Sequence, residues 1–160
     1  MNRPNVFLSD SRSDEARELL GMDESELVQL LAQRLNAIQK NVDLSLQPTF
    51  QVEPSPLEKI TLPPWLQKTV DVMVQTALRQ TYNVICSSEA AYSDLRKQLL
   101  GALGVGGTVA VLAFSSFLIS TLGLAAALAT VVATIVIKKI GEPAIKAGHQ
   151  TMCEELKKIS

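Results

Sequence analysis

A long stretch without a charged side chain constrains this chain more than any other feature. It extends from Gln98 to Ile137, 40 residues that also lack histidine, whereas the chain before Lys97 alternates polar and apolar residues. At about 1.5 Å per residue, one helix of this length would be roughly 60 Å long, about twice the hydrocarbon thickness of a bilayer. The stretch therefore predicts two helices that fold back on each other as a transmembrane hairpin.

The ends of the hairpin follow from the turn signal and the flanking charges. A turn is predicted at residues 120–123, which leaves a first span at 99–119 and a second at 124–140. Cations flank both ends and the turn has none, so the positive-inside rule predicts a cell-membrane protein with two spans and both termini in the cytoplasm. The flanking cations are Arg96, Lys97, Lys138 and Lys139.

Small residues recur every four positions in both predicted spans. Lipid tails are as apolar as leucine, so membrane helices associate mainly by close packing, which small side chains permit. One ridge can hold the hairpin together, and the other either joins copies of the chain or has no such role. The predicted packing positions are Ala102, Gly106, Ala110, Ala125, Ala129 and Ala133.

Amphipathic helices are predicted before the hairpin. Gly21 ends a short helix, and Asp23 begins the next one with Glu26 at the spacing of a capping box. Leucines then recur at steps of three and four to about Lys40, so one face of this helix must be buried. Residues 1–40 are therefore predicted to be a cytosolic helical region. No apolar run in it is long enough for a secretory signal, so no cleaved targeting peptide is predicted.

Prolines divide the middle of the chain. Three of them interrupt the periodicity of residues 41–62, which are predicted to form an extended linker with a short strand near 49–52. Pro63 and Pro64 then open an amphipathic helix that continues to about residue 85. A further helix follows and runs without a break into the apolar stretch, so residues 63–98 are predicted to lead into the membrane.

A short helical tail is predicted after the hairpin. Gly141 and Pro143 end the second span, and residues 144–159 place their apolar side chains on one helical stripe. The mixed charge of this stripe's opposite face favours packing on the amino-terminal helices. The chain is thus predicted to be all-α, with cytosolic helices, a hairpin at 99–140 and a cytosolic C-terminal helix at 141–160.

Residues that carry chemistry are few. His149 is the only histidine, so no metal site built on several histidines is predicted. Cys86 and Cys153 have neither the density of a disulfide scaffold nor a CxxC spacing, and they are interpreted as ordinary free thiols in a reducing compartment. Acidic and basic residues interleave as on a solvated helix face, and no basic stripe with aromatics is present. No catalytic residue, cofactor, metal site or nucleic-acid partner is predicted.

Three functions fit these features. The favoured one is a non-enzymatic anchor that fixes a helical interaction region to the lipid bilayer, with a cytosolic protein or a second copy as partner. The second is an oligomerising, membrane-permeabilising effector or pore former. In it, polar residues of the spans line a water path, namely Thr108, Ser115, Ser116, Ser120, Thr130 and Thr134. The third is a soluble helical protein that buries the hairpin until a trigger inserts it, the layout of pore-forming toxins with an apolar hairpin.

Overall fold

The computed structural model describes residues 13–41 and 63–160, and within these ranges the regular structure is helical, without a strand. The predicted all-α class is confirmed. The predicted linker and its short strand lie outside the described residues, apart from residue 41. The helices are α1 (13–20), α2 (Glu24–Lys40), α3 (Pro64–Cys86), α4 (Ser93–Val105), α5 (Gly107–Leu122), α6 (Ala126–Ile140), α7 (Glu142–Ala147) and α8 (His149–Ile159), with a 3-10 turn at Ala90–Tyr92 before α4.

Helix α6 is the centre of the fold. It has 15 residues, and 12 of them are buried, because residues 126–137 carry no charge on any face and have to be enclosed on every side. The chain bends by 119° between α5 and α6, so that α5 packs back on α6. Helices α2, α3 and α8 cover the other sides of α6, and α4 packs on α5.

The covering helices are amphipathic and turn their apolar faces to α6. In α2, Leu27, Leu31 and Leu35 are buried at steps of four residues, as the sequence periodicity predicts. Glu24 at the start of α2 pairs with Lys139 near the end of α6, while residue 34 contacts the first turn of α6. Helix α2 therefore runs antiparallel to α6.

Local sequence signals set several helix ends as predicted. The carboxylate of Asp23 accepts a hydrogen bond from the Glu26 amide at 2.8 Å, and the Glu26 side chain accepts one from the Asp23 amide at 3.3 Å, which confirms the capping box. Pro64 is the first residue of α3. Gly123 ends α5 in the left-handed conformation, at the position of the predicted turn.

Two predicted helices are each broken in two. The predicted first span at residues 99–119 is not one helix, because α4 ends at Val105 and Gly106 has a φ of +155°. The C-terminal helix predicted at 144–159 is divided at Gly148, whose φ is +117°, into α7 and α8. Glycine adopts positive φ without the steric cost that a Cβ brings, so both breaks occur at residues that can adopt the required backbone conformation.

Replacing Gly106 with alanine is expected to lower the free energy of unfolding by about 1–3 kcal/mol, because its backbone conformation is strained for any residue with a Cβ. A Cβ there would meet no atom within 4 Å, so the cost arises from the backbone alone. Gly101 lies inside α4 with equally open surroundings, and Gly101→Ala is expected to raise the same free energy by about 0.5–1 kcal/mol. Urea denaturation followed by circular dichroism measures both, and effects of the same sign would contradict the break at Gly106.

Candidate functional site: the enclosed apolar hairpin

The hairpin of α5 and α6 forms the largest part of the core. Phe114 and Leu118 of α5 have no exposed side-chain surface, and neither has Ile135 of α6. Each of these helices is short, with 16 residues in α5 and 15 in α6. At about 1.5 Å per residue, both fall short of the roughly 30 Å of bilayer hydrocarbon.

A test of each helix for the length and hydropathy of a membrane span agrees with this estimate. Among the described residues, no single helix is long and apolar enough to cross a bilayer, whereas α5 and α6 satisfy the criterion together as a pair bent by 119°. A buried core helix of a water-soluble protein satisfies the same criterion, because protein interior and lipid both select apolar side chains.

The predicted packing positions occupy different environments. Ala110 of α5 and Ala129 and Ala133 of α6 are almost fully buried, and Ala102 of α4 is 8% exposed. Ala125 is half-buried just before α6, and Gly106 forms the break between α4 and α5. Three of the six positions thus lie deep in the core.

The polar residues of the hairpin bond mainly within it. The hydroxyls of Ser115 in α5 and Thr130 in α6 are 3.3 Å apart in the core, and the Thr134 hydroxyl donates to the Thr130 carbonyl at 2.9 Å. The Ser120 hydroxyl donates to the Ser116 carbonyl at 3.0 Å on the exposed side of α5. Buried hydroxyls with such partners avoid the desolvation cost of an unpaired group.

A corner of the charge-free stretch is open to solvent. Val105 is 72% exposed and Val109 is 42% exposed, one on each side of Gly106. Gly101, Gly104 and Gly107 beside them are exposed as well. Single exposed valines are common on protein surfaces, and these two are of interest because they belong to the charge-free stretch itself.

A buried ion pair fastens α1 and α2 to the hairpin. The guanidinium of Arg34 in α2 donates to the carbonyl of Ala127 at 2.8 Å, in the first turn of α6. The same guanidinium lies 2.7 Å from the carboxylate of Glu15 in α1, and the two side chains are only 7% and 14% exposed. Helical periodicity places Arg34 on the buried face of α2, seven residues after Leu27 and three after Leu31, but it does not identify Glu15 as the partner.

The end of α3 is fastened to α4 and α8 by three consecutive residues. The Arg96 guanidinium donates to the Val84 carbonyl at 3.0 Å, and Nε2 of His149 donates to the Ile85 carbonyl at 2.6 Å. The next residue, Cys86, forms a disulfide with Cys153 of α8. We call these three connections the α3 latch. Hydrogen-bond donors suit this position, because the last carbonyls of a helix lack partners within the helix.

The disulfide corrects the interpretation of the two cysteines as free thiols. Their Cα atoms are 5.7 Å apart although 67 positions separate them in sequence, and no cysteine remains free. The packing of α8 antiparallel to α3 brings them together, with Gln75 of α3 bonding the Ile159 carbonyl at the far end of α8. The spacing of residues along the chain does not predict a contact between two cysteines so far apart in sequence.

The four predicted membrane-flanking cations have diverse roles in the fold. Arg96 belongs to the α3 latch and also donates to the Glu89 carbonyl at 3.1 Å. Lys139 pairs with Glu24 at 3.4 Å, with both side chains partly exposed. Lys97 is exposed on α4 and Lys138 is half-buried on α6.

No family model, no characterised protein and no solved structure matches this chain. Among the described residues, no three His, Cys, Asp or Glu side chains lie close enough together to hold a metal ion.

Proposed function

We propose that this protein stores an apolar hairpin in its core and inserts it into a lipid bilayer when the enclosing helices open. The observation that supports the proposal best is the burial of α6, a helix apolar on all faces that α2, α3, α5 and α8 enclose. Such a helix is stable either inside a protein or inside a membrane. Once its cover has opened, a bilayer offers it an apolar environment that water does not.

Insertion of a full first span requires the backbone at Gly106 to become helical. Helix α5 alone is too short to span, but residues 99–105 of α4 are also free of charge and directly precede it. If Gly106 becomes helical, residues 99–119 form one span of about 30 Å, and glycine makes this change at low steric cost. The exposed Val105 and Val109 beside Gly106 would give lipid its first apolar contact.

The inserted form of this proposal keeps the topology that the sequence indicates. Both ends of the hairpin lie on one side of the cell membrane, with Arg96, Lys97, Lys138 and Lys139 at that surface. Small side chains buried in the soluble fold, such as Ala129 and Ala133, become available for packing between copies. The bilayer is therefore the first partner in this proposal, and a second copy of the chain is the next.

Opening the cover with a point substitution tests this function. Arg34→Ala removes the fastening of α1 and α2 to α6, and Arg79→Ala removes an exposed arginine of α3 as the matched control. Each oxidised protein is mixed with vesicles of phosphatidylcholine and phosphatidylglycerol that contain a self-quenching dye. We expect Arg34→Ala to float with the vesicles, resist alkaline carbonate and release dye, while wild type and Arg79→Ala stay mostly in solution.

Two other results would contradict this proposal. If wild type enters the vesicles as fully as Arg34→Ala, the protein is a constitutive membrane anchor and needs no opening step. If Arg34→Ala is destabilised in solution yet stays out of the vesicles, the hairpin is a structural core and the proposal is wrong. Flotation without dye release would favour anchoring over permeabilisation once the hairpin is inserted.

A further inference from the structure

The α3 latch contains one covalent connection, the disulfide, and this bond closes a loop around the hairpin. The disulfide joins residues 86 and 153, so the loop that it closes contains the whole charge-free stretch of residues 98–137. The two cysteines therefore lie on the two segments that flank the hairpin. While the bond is intact, the two flanking segments stay tied together at the two cysteines. They can separate only after the bond is broken.

The element that the disulfide holds is short, and its other fastenings are the His149–Ile85 and Gln75–Ile159 hydrogen bonds and two buried side chains. Helix α8 has 11 residues, and its fully or nearly fully buried side chains are Met152 and Leu156. A helix of this length is marginal in water without tertiary contacts. It joins α6 through the six-residue α7, with Gly141 and Gly148 in positive-φ conformations at either end. Helix α8 can therefore swing away from α3 and α6 by rotation at these two glycines.

The disulfide is also within reach of a reductant. Cys86 and Cys153 are both only partly buried, at the edge of the core and not inside it. Thiol–disulfide exchange needs access of a thiolate to one sulfur, and a cystine at the edge of the core is easier to reach than one inside it. A fully enclosed bond would resist such exchange until the fold had opened.

We propose that the Cys86–Cys153 disulfide is a redox switch for the cover of the hairpin, and that a dithiol reductant is the agent that opens it. One thiolate of the reductant attacks a sulfur of the disulfide, and the other cysteine leaves as a thiolate that takes up a proton. The attacked cysteine is then joined to the reductant in a mixed disulfide. The second thiol of the reductant, as a thiolate, displaces this cysteine, which also takes up a proton. The protein gains two thiols, and the dithiol becomes a disulfide.

Reduction releases α8, which uncovers one side of α6 and frees the segment that follows the hairpin. This step does not depend on the function proposed above. The further step, in which the uncovered hairpin enters a bilayer, rests on the function proposed above. The two steps call for separate measurements.

Hydrogen exchange in solution tests the release of α8 without any membrane. Oxidised protein is compared with protein treated with dithiothreitol, and mass spectrometry confirms that reduction has added two hydrogen atoms. After reduction, amides of α8 are expected to exchange about 100-fold faster than those of α6, because α8 then opens by itself whereas α6 exchanges only when the whole fold unfolds. A double variant, Cys86→Ser with Cys153→Ser, should show fast exchange in α8 without dithiothreitol and no response to it.

Several results would overturn the redox switch. Equal exchange rates in α8 and α6 after reduction would mean that α8 opens only with the whole fold, and that the bond merely stabilises that fold. Unchanged exchange in α8 after confirmed reduction, or a bond that dithiothreitol cannot reduce in the folded protein, would also refute it. If the double variant fails to fold, the comparison of oxidised with reduced wild type still decides the question.

Dye release from the same vesicles then separates this inference from the proposed function. Oxidised Arg34→Ala tests insertion independently of the disulfide. If it releases dye and dithiothreitol also triggers release by wild type, both proposals hold. If it releases dye but reduced wild type does not, the redox switch fails and the proposed function stands. If neither releases dye or binds vesicles although α8 has opened, the proposed function fails.

Discussion

Replacing Arg34 with alanine is expected to lower the free energy of unfolding by about 3–5 kcal/mol, the usual cost of removing one partner of a buried ion pair. The substitution leaves the Glu15 carboxylate, only 14% exposed, without its cation, and it removes a donor from the Ala127 carbonyl. Burial of an unpaired charge is unfavourable because the protein interior solvates it poorly. Urea denaturation monitored by circular dichroism measures the change.

The chain offers matched controls for this prediction. Arg79→Ala removes an exposed arginine and is expected to change the free energy by no more than about 0.5 kcal/mol. The double change Arg34→Met with Glu15→Leu removes both charges and is expected to recover much of the loss, since an apolar pair of similar size avoids the unpaired charge. If Arg34→Ala were no more harmful than Arg79→Ala, the ion pair would not fasten α2 to the hairpin.

Removing the disulfide is the other change with a large expected effect. In the chain-entropy account, a cross-link that closes a loop of this length stabilises a fold by about 4 kcal/mol. The bond spans 67 positions. The double variant Cys86→Ser with Cys153→Ser is therefore expected to unfold at a clearly lower urea concentration than oxidised wild type. This prediction concerns the global free energy of unfolding, whereas hydrogen exchange reports which helix opens first.

Dithiothreitol provides the internal control for the disulfide. Reduced wild type should match the double variant in its denaturation midpoint, and the double variant itself should not respond to the reductant. A midpoint of wild type that is the same with and without the reductant, after confirmed reduction, would contradict the prediction. The two fastenings of the cover, the Arg34 ion pair and the α3 latch, can thus be weakened one at a time.

The local features of this protein were predictable because local residues cause them. Asp23 and Glu26 cap α2 with their own side chains, Pro64 starts α3, and Gly123 ends α5. Helical periodicity identified the buried faces of α2 and α3, since residues three and four apart share one side of a helix. The charge-free stretch determined that α5 and α6 are removed from water.

What encloses that stretch depends on how the helices pack, because the same apolar pattern is compatible with a bilayer and with a protein core. Here the amphipathic faces of α2, α3 and α8 enclose α6. The break at Gly106 does not follow from the sequence either, since a glycine is compatible with a continuous helix and with a sharp turn. The Arg34 ion pair and the Cys86–Cys153 bond join residues distant in sequence, and such contacts depend on how whole helices pack and not on any periodic pattern along the chain.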